Sequence, residues 1–291
     1  IIQVDMDGSI TGYRFEKTVI RTKVRGIYSE VNELFKGTAT QDLLDKYKPV
    51  MKGLMTAREM ASITKERSRR NGTMELESNE PKFILNEDGI CIDVQPRQTG
   101  ESEQMIEQLM VTANQAAAKL AEKEHLPFVY RVHENPKSLK IETLIELVSS
   151  LGLDFSSTAE FAAILDQAVG TPAQKIVSYQ ILRTMEKARY ATDPLGHFGL
   201  ALADYCHYTS PIRRYPDTAI HRILTAFVNK KGKNYINEHY AHRIINSGDE
   251  VLAVAACSLP SSKQDHKSIQ ERGFPYRCYK RDGKIVWEKQ E

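Results

Sequence analysis

Two adjacent arginines, Arg213 and Arg214, stand between small polar residues and an amphipathic helical pattern. Thr209 or Ser210 suits a helix N-cap and Pro211 a first helical position, so the spacing predicts both arginines in the first turn of a helix. The positive end of the helix dipole disfavours cations there, by a few tenths of a kcal/mol to about one. An anion bound between the two side chains would remove that conflict.

The same segment offers the groups from which proteins build phosphate sites. Free backbone N–H groups, a hydroxyl from Ser210 or Thr209 and a guanidinium fork form strong, directional hydrogen bonds to phosphate. Aromatic faces beside guanidinium groups suit stacking on nucleobases, and three tyrosines are close in sequence: Tyr205, Tyr208 and Tyr215. The pattern favours a phosphodiester ligand. The alternative is that the arginines are solvated or pair with an acidic neighbour such as Asp217.

These residues belong to a long motif. It reads Gly196-His-Phe-Gly-Leu-Ala-Leu202, then Tyr205-Cys-His-Tyr-Thr-Ser-Pro-Ile-Arg-Arg-Tyr-Pro-Asp217, then His221-Arg222. Three segments precede it in the same order as in a known family: Val19-Ile20-Arg21-Thr22 with Tyr28, Ile106-Glu107-Gln108-Leu109-Met110-Val111-Thr112-Ala113-Asn114, and Pro127-Phe-Val-Tyr-Arg-Val-His-Glu134. Over residues 1–259 the chain resembles the catalytic domain of the ribonuclease II/ribonuclease R family. Its Arg-Arg-Tyr-Pro sequence is more similar to that of ribonuclease R.

The resemblance implies a 3′-to-5′ exoribonuclease that hydrolyses single-stranded RNA with Mg²⁺ and releases nucleoside 5′-monophosphates. Carried over by position, Arg213 is the catalytic residue that stabilises charge on the phosphoryl oxygens, and Tyr28 and Glu107 position the terminal nucleotide. The remaining substrate-binding residues are Ser210, Arg214 and Tyr215. A cytoplasmic monomer is expected, with single-stranded RNA as its partner and neither DNA nor a membrane.

The residues taken alone favour plainer roles for two of these positions. Glu107 reads as an exposed carboxylate on a helix surface, and Tyr28 as a half-buried residue at a helix start. His133, His207 and His221 follow no zinc spacing and are expected to be structural or to lie beside RNA.

The chain departs from the family at the metal site. The family holds Mg²⁺ with an aspartate cluster that precedes the segment where this chain begins, and no such cluster occurs in the 291 residues. Asp5 and Asp7 flank a predicted tight turn, so we assign no metal ligand and expect the Mg²⁺ ligands upstream of Ile1. The chain is then a fragment that is inactive alone. The missing aspartates favour an alternative, a catalytically dead RNA-binding relative.

A further departure concerns stacking and the end of the chain. The family often has an aromatic residue near the position of Leu76, and leucine cannot replace its stacking on a base. We expect one domain over residues 1–259. Residues 260–291 do not match the family, and a frame-shift or truncation is our hypothesis for them.

Composition sets the limits of these expectations. Lysine plus arginine number 40 and aspartate plus glutamate 38, so the net charge of +2 does not by itself point to a polyanionic partner. The four cysteines are far apart and form no CxxC pair, which argues against a zinc site and a disulfide framework. No apolar run approaches the roughly 18 residues of a membrane span.

Periodicity predicts a mixture of helices and strands. Hairpins are expected around Asp7-Gly8 and residues 83–92, and helices from Tyr28, over residues 43–67 with a break at Pro49, and over residues 103–124. The fold class is therefore α+β. The resemblance adds the architecture, a curved and mainly antiparallel sheet surrounded by helices around an RNA channel.

Overall fold

The protein is described by a computed structural model that covers residues 1–74, 81–96, 99–153, 161–229, 242–247, 250–255, 276–281 and 284–289. Helices and antiparallel strand pairs alternate along these ranges, which confirms the α+β class. The helices are α1 (Tyr28–Lys36), α2 (Gln41–Tyr47), α3 (Met51–Arg70), α4 (Glu101–Lys123), α5 (Ser138–Ser150), α6 (Phe161–Ala168), α7 (Gln174–Thr184) and α8 (Tyr215–Val228). The strands are β1 (Ile2–Val4), β2 (Ile10–Tyr13), β3 (Pro81–Leu85), β4 (Cys91–Pro96), β5 (Tyr130–Val132), β6 (Arg189–Ala191), β7 (His242–Ser247), β8 (Glu250–Ala255), β9 (Tyr276–Arg281) and β10 (Lys284–Lys289).

The predicted antiparallel pairing is confirmed, but the described strands form separate pairs. They make five two-stranded sheets, β1–β2, β3–β4, β5–β6, β7–β8 and β9–β10. Four are hairpins between neighbouring strands, whereas β5 and β6 are joined across α5, α6 and α7. The connection between these two paired strands therefore contains three helices. Leu76 lies outside the described residues.

The β1–β2 hairpin is fixed by its turn and by α3. Asp5 and Asp7 each accept the backbone N–H of Ser9 through Oδ1, at 2.9 and 2.7 Å, and Arg67 of α3 binds Asp7 Oδ1 at 3.1 Å. Hydrogen bonds from Ser9 are the main cause that lowers the pKa of Asp7 to about 2. Both aspartates are turn residues, as predicted.

The N-terminal helices pack on the first half of α4. The cluster consists of Val31, Leu34, Phe35, Tyr47, Ala61 and Met105. The predicted break at Pro49 separates α2 from α3. Because proline lacks a backbone N–H and restricts the preceding residue, it ends one helix and lets the next begin in a new direction.

The second half of α4 lies at the centre of the main core. Ala116, Ala117, Ala118 and Ala121 are fully buried, and the last three belong to one hydrophobic cluster with residues of β5 and α8. A third cluster joins α5, α6 and α7 through Leu144, Val148, Phe161, Ile164, Val177 and Ile181. In the part of the chain that the structure describes, no helix is long and apolar enough to cross a membrane.

Candidate active site

The helix that follows the arginine pair begins later than the sequence suggests. Helix α8 starts at Tyr215, and Arg214 is its N-cap in an extended conformation (φ −130°, ψ 120°). The expectation that Pro211 opens the helix is wrong. Pro216 occupies the early proline-tolerant position instead, and Asp217 supplies the acidic group that favours a first helical turn.

Asp217 fixes one end of the segment 205–214, here called the arginine loop. Its carboxylate is fully buried, and Oδ1 accepts both the Ser210 backbone N–H at 2.7 Å and Arg214 Nη2 at 2.8 Å. Only 21% of the Arg214 side chain is exposed. Thr218 strengthens the attachment by donating its hydroxyl to the Pro211 carbonyl at 2.8 Å. Pairing with an acidic neighbour, the alternative reading, is therefore what Arg214 does.

Asn114 of α4 holds the other end of the arginine loop. Its amide oxygen accepts the backbone N–H groups of Tyr208 and Thr209, at 2.9 and 3.2 Å. Its amide nitrogen donates to the Tyr205 hydroxyl at 3.1 Å. The residue is 3% exposed, so these hydrogen bonds satisfy an amide that would be costly to bury alone.

These attachments occupy several of the backbone donors that we expected to bind phosphate. The N–H groups of Tyr208 and Thr209 go to Asn114, that of Ser210 goes to Asp217, and those of Arg213 and Arg214 reach the Ser210 carbonyl at 3.3 and 3.2 Å. These five N–H groups are therefore already paired within the protein.

Arg213 is the available cation of the loop. Its side chain is exposed and makes no hydrogen bond or ion pair with any residue that the structure describes. Ile212 beside it is fully exposed, and Tyr215 is 40% exposed. The rigid loop thus presents Arg213 to solvent with an apolar side chain and an aromatic ring next to it.

The other two tyrosines of the motif are structural. Tyr205 is 8% exposed and contacts the His197 ring edge-to-face, with 5.2 Å between centroids. Tyr208 stacks on His221 at 4.4 Å with the rings 12° from parallel, and its carbonyl lies 2.9 Å from His221 Nε2. Of the three tyrosines of the motif, Tyr215 therefore has the most exposed side chain.

His207 of the arginine loop lies beside Tyr190, with 2.8 Å between its Nδ1 and the tyrosine hydroxyl. Arg131 of β5 lies over the Tyr190 ring, 4.8 Å from its centroid. Burial, followed by the positive charges of Arg214 and Arg131, lowers the pKa of His207 to about 3. Burial likewise lowers the pKa of His197 to about 4. Both imidazoles are neutral near pH 7.

Tyr28 and Glu107 lie on the packed helices α1 and α4. Tyr28 opens α1 with 47% of its surface exposed, and its carbonyl accepts the Ser102 hydroxyl at 3.1 Å. Glu107 is exposed on α4, two helical turns or about 10 Å before Asn114. Both side chains face solvent. Among the described residues, no hydrogen bond or ion pair connects either to the arginine loop.

Sequence reasoning missed two residues that position the site. Asn114 belonged to a recognised motif, but its role was not predicted. The signal for that role was its place in an alanine-rich stripe, which indicates that the amide is buried. Such an amide needs partners, which the loop backbone provides. Arg131 was part of a motif too, but only its pairing opposite Tyr190 in β5–β6 brings it to the site.

The described residues do not fit a magnesium site. No group of three or more His, Cys, Asp or Glu side chains among them could hold a metal ion. Asp5 and Asp7 are used by their turn, and Asp217 by Arg214. We therefore derive no chemical step through a metal from these residues.

Similarity to known proteins is concentrated on one family. A family model described as the RNB domain matches residues 1–230. Ribonuclease R 1 of Lactococcus lactis is 32% identical over 291 residues, which cover 94% of this chain and 35% of that protein. Ribonuclease R of Thermotoga maritima is 35% identical over 237 residues, or 79% of this chain and 33% of that protein. The chain spans about a third of the length of these relatives.

Solved structures show the same similarity. The apo form of Mycoplasma genitalium RNase R has a TM-score of 0.74 and 29% identity, over 81% of this chain and 38% of that one. The same enzyme in complex with ribose methylated single-stranded RNA has a TM-score of 0.65, over 73% of this chain and 35% of that one. The complex of that protein with double-stranded RNA also has a TM-score of 0.65, over 73% of this chain and 40% of that one.

Proposed function

Because the chain belongs to the family of proteins with an RNB domain, we propose that it is the catalytic part of a 3′-to-5′ exoribonuclease of the ribonuclease R type. The observation that carries the proposal is the arginine loop, where Asn114 and Asp217 hold the backbone and leave Arg213 exposed. The relatives named Ribonuclease R, at 32% and 35% identity, support it.

The role proposed for Arg213 is to stabilise negative charge on the phosphoryl oxygens as the phosphodiester is hydrolysed. A preorganised cation acts best when it does not have to move during the reaction. The loop contributes to this condition, since hydrogen bonds to α4 and α8 fix the backbone that carries Arg213. Arg214 serves the same end by pairing with buried Asp217.

The terminal nucleotide is assigned to Tyr28 and Glu107, and contact with a base to Tyr215. These side chains are exposed on α1, on α4 and at the start of α8, which supports the assignment. Aromatic rings bind every base through its π-face, so such contacts do not select a sequence. We propose that the enzyme selects single-stranded RNA by the width of its channel and by contacts to sugar hydroxyls.

Mg²⁺ is proposed as the cofactor, with ligands that this sequence does not contain. The 291-residue chain is accordingly proposed to bind RNA without hydrolysing it, as a cytoplasmic monomer. The competing function is an RNA-binding relative without catalysis, and the missing aspartate cluster is the observation that favours it.

A product analysis separates these two functions. Single-stranded RNA labelled at its 5′ end is incubated with Mg²⁺ and either the present chain or the chain extended upstream in its own reading frame. The exoribonuclease predicts progressive shortening of the labelled strand by the extended chain only, and EDTA stops it. Binding by both proteins without shortening would establish the RNA-binding relative. Internal cleavage would contradict both.

A further inference from the structure

Three guanidinium groups lie near the half-buried His207. Arg131, Arg213 and Arg214 all lower the pKa of His207 through their positive charges. Asp217 is the acidic partner of this group, and it is already bound to Arg214 at 2.8 Å. Like charges held together in a partly dry site repel one another, so the arrangement favours an added anion.

Arg131 is the member of this group without an anionic partner or an exposed position. It is half-buried, and its guanidinium makes no hydrogen bond or ion pair with any described residue. Its guanidinium lies over the face of the Tyr190 ring, 4.8 Å from the ring centroid. A guanidinium carries five N–H donors in its plane, and stacking on a ring leaves those in-plane donors unused.

The backbone fixes Arg131 against the arginine loop. Its N–H donates to the Tyr205 carbonyl at 2.9 Å, and strand pairing places it directly opposite Tyr190. The Tyr190 hydroxyl in turn lies 2.8 Å from His207 of the same loop. Arg131 is therefore attached to the segment that carries Arg213 by a backbone hydrogen bond and by a side-chain bridge.

We propose that Arg131 binds a second backbone phosphate of the RNA strand whose scissile phosphate Arg213 contacts. This inference rests on the proposed function and adds a residue to it. The in-plane donors suit the two oxygens of a phosphodiester, which a guanidinium binds bidentately. Packing against Tyr190 holds the side chain in place, so little side-chain freedom is lost on binding.

The test is the salt dependence of RNA binding in EDTA. The chain, Arg131→Gln, Arg131→Lys and the control Arg189→Gln are titrated with a short single-stranded oligoribonucleotide at several KCl concentrations. Arg189 is a suitable control because it lies on β6, next to Arg131, but pairs with exposed Glu134. Each phosphate contact of a single strand contributes about 0.7 to the slope of log K against log salt.

The slope should fall by about 0.7 in Arg131→Gln and keep its original value in Arg131→Lys and Arg189→Gln. Arg131→Met, which keeps the packing on Tyr190, is measured in parallel in case the glutamine variant does not fold. A slope unchanged in Arg131→Gln or Arg131→Met, with Arg213→Gln reducing it, would overturn this inference and leave the proposed function standing. Failure of the unsubstituted chain to bind RNA would overturn both.

Discussion

Asp217 and Arg214 form a buried ion pair, with 2.8 Å between Oδ1 and Nη2. The pair gives the two adjacent arginines different tasks, because Arg214 is held at the N-cap of α8 while Arg213 stays exposed. Removing one partner of a buried pair leaves an uncompensated charge, which costs far more than losing a surface pair. The loop geometry therefore depends on residues that need not touch RNA.

Asp217→Ala should lower the free energy of unfolding by about 3–5 kcal/mol, because Arg214 and the Ser210 N–H lose their buried acceptor. Urea titration followed by circular dichroism measures this loss. Glu101→Ala is the control, since Glu101 pairs with Arg58 at the surface and should cost less than about 1 kcal/mol. Equal losses in both variants would contradict the account of the ion pair.

Asn114→Ala should lower the free energy of unfolding by about 2–4 kcal/mol, because the Tyr208 and Thr209 N–H groups and the Tyr205 hydroxyl lose their hydrogen-bond partner. Amide hydrogen exchange at Tyr208 and Thr209 should also become faster. Asn229→Ala, at the exposed C-terminal end of α8, serves as the control. Unchanged exchange at the two loop amides would mean that Asn114 does not hold the loop.

Glu107→Gln should change the free energy of unfolding by less than about 0.5 kcal/mol, because the side chain is exposed and has no ion pair or hydrogen bond among the described residues. Degradation of RNA by the extended chain should fall about 100-fold, as expected when a substrate-positioning group is lost. Glu33→Gln, on the exposed side of α1, is the matched control. Equal rates for the two variants would return Glu107 to a plain surface role.

Acid should destabilise the fold through two half-buried histidines. The pKa of His207 is lowered to about 3 and that of His197 to about 4, so the unfolded chain binds protons at these rings first, near pH 6.5. Stability then falls as the pH falls below about 6.5 and levels off below the folded pKa values. Between pH 7.5 and 5.5 the two rings should together cost about 2–3 kcal/mol.

Urea titrations at the two pH values measure this loss. His207→Gln should remove about half of this pH-dependent loss of stability. His125→Asn should leave the loss unchanged, because His125 is exposed. Asparagine suits that control since His125 has a positive φ of 52°. Stability that does not change with pH in this range would contradict the neutral state of the two half-buried histidines.

Local sequence signals predicted the elements of the first part of the fold, from β1 to α4. The apolar stripe of residues 103–124 gave α4, Pro49 separated α2 from α3, and Asn86 and Gly89 marked the β3–β4 turn. The start of α8 was placed wrongly because Ser210-Pro211 and Arg214-Tyr215-Pro216 both contain proline at an acceptable early position. Buried Asp217 decides between them, and its burial depends on tertiary packing.

The residues of the candidate site could be predicted from the sequence, but the contacts that each of them makes could not. The motif identified Arg213, Arg214 and Asp217, yet which arginine pairs with the aspartate is set by the turn before α8. Contacts between distant segments, such as Asn114 with Tyr208 and Arg131 with Tyr190, leave no periodic signal in the sequence. The roles of Tyr28, Glu107, Ser210 and Tyr215 in binding stay predictions.

The most direct test of the central claim is the rate of mononucleotide release from a 3′-tailed single-stranded RNA with Mg²⁺. The chain extended upstream in its reading frame is compared with its Arg213→Gln variant, after urea titration has shown that both are equally folded. The account predicts release of nucleoside 5′-monophosphates from the 3′ end, reduced about 100- to 1000-fold by the substitution. Equal release by both proteins, or no release by the unsubstituted one, would contradict it.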